Sequence, residues 1–116
     1  MTKPWEVRLS PFAQIKSLEI QLRGVMSRLD LPELPLKERE VVMGLKADLI
    51  DAKLDIRDFE FSDTLAEQQK HGKHGLRSLE KVRSGILAAS EYNIFSAIDV
   101  AQFSAQLEQV IEEMKS

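Results

Sequence analysis

Apolar residues recur along this chain at alternating intervals of three and four, the period of helices packed lengthwise on one another. Ile15, Leu18, Leu22, Val25 and Leu29 form one seam, and Val100, Phe103, Leu107, Val110 and Met114 form another. Leu79, Val82, Ile86 and Ala89 line a third helix, which Asn93 is suited to end. Ser10 and Pro11 are suited to open the first helix, and Pro32 and Pro35 in "LDLPELPL" to keep it from the second. The leucines of that connection, Leu31, Leu34 and Leu36, are expected to cover one end of the core. Either Ser96 or Asp99 can cap the last helix. The pattern predicts an all-α four-helix bundle with helices at about 10–30, 36–71, 76–92 and 97–115. Only "WEVRL" alternates with period two, and it is expected to form a short extended N-terminal arm.

The second helix has a pattern of its own. On a helical wheel with Leu45 at the origin, Val42, Leu45, Leu49, Ala52, Ile56 and Phe59 fall within about 60° of zero. Met43, Ala47, Ile50, Leu54 and Phe61 cluster at about 140–200°, nearly opposite. Asp48, Asp51, Asp55 and Asp58 occupy one gap between these faces, and Lys46, Lys53 and Arg57 the other. A surface helix shows one apolar stripe, so this one is expected to be covered on both sides. As one long central helix of about 35 residues it would measure roughly 50 Å, more than its shorter neighbours can flank. The second face is therefore expected to meet a partner, most simply the same face of another copy. "FEFSD" offers a break at Ser62 and Asp63, but a continuous helix ending in the basic, glycine-containing "KHG" is the preferred reading.

Composition narrows the partners. The chain has 116 residues, enough for one helical domain spanning 1–116, and its 43% hydrophobic content is that of a folding chain. With 16 Lys+Arg against 19 Asp+Glu the net charge is -3, which gives no overall attraction to nucleic acid or to anionic membranes. Neither is expected as a partner. There is no cysteine, hence no disulfide framework or thiolate metal site. No apolar run is long enough to span a bilayer and the start lacks a signal-peptide core, so a soluble, cytoplasmic protein is expected.

Two constellations could carry chemistry. DxxD occurs at Asp48 with Asp51 and at Asp55 with Asp58, and Glu108, Glu112 and Glu113 could add carboxylates from the fourth helix. This acidic face loosely resembles the all-alpha nucleotide pyrophosphohydrolases, which implies a magnesium-dependent phosphate hydrolase with the four aspartates as metal ligands. The glutamate-rich paired motifs of that family are absent, and the simpler reading is a solvated stripe, facing Lys70, Lys73, Arg77 and Lys81. In "KHGKHGLRS", His74, Leu76 and Arg77 resemble the phospho-accepting segment of histidine-phosphotransfer domains, which implies His74 as acceptor. Gly72 and Gly75 bracket that histidine, and the simpler reading is a helix-ending turn with His71 and His74 near the negative end of the helix dipole.

The expected function is that of a non-catalytic protein–protein interaction module, an adaptor, regulator or assembly component acting through apolar helix faces. Trp5, Met43, Ile50, Leu54 and Phe61 are its expected interface residues, protein partners and homo-oligomerisation its expected associations. No catalytic residue and no cofactor are assigned. The balance leans away from an enzyme, with the hydrolase as the alternative and phosphotransfer third.

Overall fold

Ser10 and Pro11 open the first helix as their chemistry requires: the Ser10 side chain accepts a hydrogen bond from the Ala13 amide, and Pro11 takes the first helical position. The structure is a computed structural model that describes residues 10–115. Four helices follow one another, α1 (Pro11–Met26), α2 (Leu36–Glu60), α3 (Leu65–Glu91) and α4 (Ala97–Lys115), with a short 3₁₀ turn at Leu31–Glu33. No strand occurs among the described residues, and the fold is all-α as the apolar seams predict. The expected N-terminal arm, with Trp5, lies outside the described residues.

Consecutive helices run antiparallel. Glu19 on α1 meets Lys53 on α2, Leu45 on α2 meets Gly85 on α3, and Arg83 on α3 meets Glu108 on α4. Helix α1 also packs on α4, so each helix has two neighbours and the ring closes. Inside it lie Ile15, Leu18 and Leu22 from α1, Leu45, Leu49 and Ile56 from α2, Leu79 and Ile86 from α3, and Leu107 and Ile111 from α4, all essentially inaccessible. Leu31 and Leu34 pack against this core from the connection, whereas Leu36 stays exposed. Asn93, with φ of 57°, ends α3: its amide bonds back to Ser90, and the next amide, Ile94, bonds to Ala89. Ser96 caps α4 through the Asp99 amide. No helix among the described residues is long and apolar enough to cross a membrane.

The single long central helix is replaced by two, of 25 and 27 residues. α2 stops at Glu60 instead of 71, and α3 starts at Leu65 instead of 76. The cause is local. Thr64, in extended backbone, accepts a hydrogen bond from the Glu67 amide, so that "TLAE" has the sequence of a capping box with its forward bond made. Ser62, which with Asp63 offered the alternative break, does not cap α3: it donates its hydroxyl to the Asp58 carbonyl and closes the end of α2. The expected turn at residues 70–75 is likewise absent, because Gly72 and Gly75 are buried inside α3. A Cβ on Gly72 would sit 3.2 Å from the Phe59 ring, and one on Gly75 3.2 Å from the Met114 side chain. These glycines admit neighbouring helices rather than end their own.

Candidate functional site

The inner wheel face of α2 enters the core as expected, with Val42, Leu45, Leu49, Ala52 and Ile56 buried and Phe59 packed at its margin. On the opposite side Met43, Ile50, Leu54 and Phe61 keep 59%, 38%, 39% and 71% of their surface in solvent, with Ala47 exposed between them. The reason lies in the ring: α1 and α3 take the two flanks of α2, and among the described residues no helix remains for its back. The α1 flank is tied by Lys53 Nζ, 3.1 Å from the Glu19 carboxylate, and the α3 flank by Ser78, whose hydroxyl donates to Asp55 at 2.7 Å.

At its lower end this face continues onto α1. Phe12 meets Phe61 edge to face, with ring centroids 6.4 Å apart, and the Lys16 ammonium lies 5.4 Å from the Phe12 ring centre. Phe12, Lys16 and Ile20 line a shallow depression of about 450 Å³. Ile20 is exposed although apolar, and its sequence signal was its absence from the Ile15, Leu18, Leu22 seam. Glu60 fastens the same corner, accepting a hydrogen bond of 2.7 Å from the Phe12 amide at the start of α1.

The four aspartates do not act as one group. Asp48 and Asp55, seven residues apart, face α3. Burial raises the Asp48 carboxyl above the usual aspartate range, the Lys81 cation pulls it back, and the Asp51 charge adds to the rise. Asp51 is exposed, and Asp58, half-buried, lies 3.2 Å from the neighbouring Arg57 guanidinium. Each DxxD pair thus sends one carboxylate toward α3 and leaves the other beside the open face. No group of three or more histidines, cysteines or acidic residues that could hold a metal ion occurs among the described residues. Of the expected lysine and arginine neighbours, Lys81 acts on the Asp48 carboxylate.

His74 stands exposed on the outer side of α3, in helix and not in the expected turn. Lys70, Lys73 and Arg77 line a shallow pocket of about 340 Å³ with it, and among the described residues none of the three makes an ion pair. The half-buried His71 ring lies edge-on to it at 6.5 Å. Two outer faces of opposite chemistry therefore lie side by side, apolar on α2 and cationic on α3. The chain matches no family model, no curated protein and no solved structure.

Proposed function

We propose that this chain is a non-catalytic helical interaction module, an adaptor, regulator or assembly component whose contact surface is the outer face of α2. The observation that carries this reading is the row Met43, Ala47, Ile50, Leu54 and Phe61, exposed on a helix whose inner face is already filled by its own core. Contiguous exposed apolar rows of this kind are costly in solvent and mark contact sites. A second copy of the chain is the first partner to test. Cytoplasmic residence fits a chain without cysteine. The decisive comparison is sedimentation of the wild-type chain against the double variant Ile50→Gln, Leu54→Gln at high micromolar concentration. The association is expected to disappear in the variant while its circular dichroism is kept; an association that survives intact rejects this face.

Phosphotransfer through His74 is the second reading, favoured by one observation: an exposed helical histidine with Lys70, Lys73 and Arg77 around it, cations suited to a phosphoryl group. Incubation with a phosphorylated receiver domain tests it. Label on the wild type and none on His74→Gln would promote this reading above the first.

A further inference from the structure

We infer that the occupant of the α2 outer face is the same face of a second copy, with the two α2 helices running parallel. The pairing rests on that face being a contact surface, and adds to it a partner, a direction and a register. Met43, Ala47, Ile50, Leu54, Arg57 and Phe61 follow one another at intervals of four and three, as the d and a positions of a heptad seam do. The row spans 18 steps, about 27 Å at the helical rise. Arg57 is the one cation in it and brings its own counter-ion, Asp58, at 3.2 Å.

The direction comes from the charges beside the seam. With Ala47 and Leu54 at a, the g positions are Lys46, Lys53 and Glu60, and the e positions include Asp51 and Asp58. In a parallel pair each g residue faces the e residue five places on in the other helix. Lys46 then meets Asp51 and Lys53 meets Asp58, twice each by symmetry, with every sign opposed. In an antiparallel pair e faces e and g faces g. Aligning Ile50 with Leu54 would then set Asp51 against Asp51 and Lys53 against Lys53 across the axis. Its one favourable contact, Lys46 with Glu60, is set against both of those like-charge encounters. Lys53 is partly committed to Glu19 and Asp58 to Arg57, so Lys46 with Asp51 decides the matter; among the described residues neither makes an ion pair within its own chain. A foreign partner gives no reason for the two flanks to match each other at this offset.

The absence of cysteine makes the test direct, since a single introduced thiol has no rival. In a parallel dimer Met43→Cys places two thiols face to face at an exposed position, and mild oxidation is expected to give a covalent dimer from this variant alone. In the antiparallel dimer the two thiols would be about 27 Å apart, and only a mixture of Met43→Cys with Phe61→Cys would cross-link. Lys46→Glu is expected to raise the dimer Kd roughly tenfold by turning two favourable contacts unfavourable. The reciprocal pair Lys46→Glu, Asp51→Lys is expected to restore it, which an antiparallel dimer would not do. A wild-type monomer at high micromolar concentration overturns self-pairing. A dimer that cross-links only in the mixture overturns the direction while the face stands, and a dimer that survives Ile50→Gln, Leu54→Gln overturns the face itself.

Discussion

Helices α2 and α3 are almost equal in length and share the most extensive contact in the molecule, yet they contribute to it in opposite ways. α2 supplies bulk in Leu45, Ile56 and Phe59, and α3 supplies room in Gly85, Gly75 and Gly72, which meet those residues in turn. Outward the contrast continues, since α2 presents Met43, Ile50 and Leu54 where α3 presents Lys70, Lys73, His74 and Arg77. Helical glycine costs about 1 kcal/mol relative to alanine, so three in one helix need a packing reason. Close approach to α2 and α4 is that reason. The helix that lets its neighbour come near is also the one that holds cations outside, which leaves α2 as the side open to apolar contact.

The largest test of this contrast removes bulk from α2. Ile56→Ala, at a fully buried position, is expected to lower stability by about 2–5 kcal/mol in urea unfolding. A loss below about 1 kcal/mol would mean that the inner face is not packed as described. Next comes one substitution made on each helix. Gly85→Ala places a methyl 2.9 Å from Leu45 Cδ1 in the core and is expected to cost about 1–2 kcal/mol, despite the better helix propensity of alanine. Gly44→Ala, with nothing within 4 Å, is expected to add up to about 1 kcal/mol. Equal signs from the two would remove the distinction between packing and merely tolerated glycines.

The smallest test lies at the seam between the helices. Because burial raises the Asp48 carboxyl in the folded state, its protonation favours folding: the charged form opposes the fold at neutral pH, and the opposition ends as pH falls below the carboxylate range. Asp48→Asn is therefore expected to raise Tm at pH 7, by at most about 2 °C, and to have no such effect near pH 2. A lower Tm at pH 7 would mean that Lys81 outweighs burial.

Periodicity made much of this fold legible. The inner face of α2 and the seams of α1, α3 and α4 were readable because buried positions repeat with the helix, and the open face of α2 because a second apolar row cannot share the same core. The break between α2 and α3 was legible as an option at Ser62 and Asp63 but outweighed by the apolar pattern of a continuous helix, and only the spacing to Glu67 picks out Thr64 as the cap. Gly72 and Gly75 misled for a different reason: local propensity reads them as terminators, whereas their role depends on Phe59 and Met114, distant in sequence. The division of the aspartates could have been drawn from the wheel, where Asp48 with Asp55 and Asp51 with Asp58 form two rows. Which row faces α3 required the bond from Ser78.

The hydrogen bond from the Phe12 amide to Glu60 offers a way to watch α1 by itself. An amide in the first turn of a helix has no acceptor within that helix, and left to itself it exchanges with solvent almost freely. This one borrows its acceptor from the end of α2, 48 residues away. Its deuterium uptake therefore records the undocking of α1, not the fraying of a helix end, and a single resonance reports when the ring of helices opens.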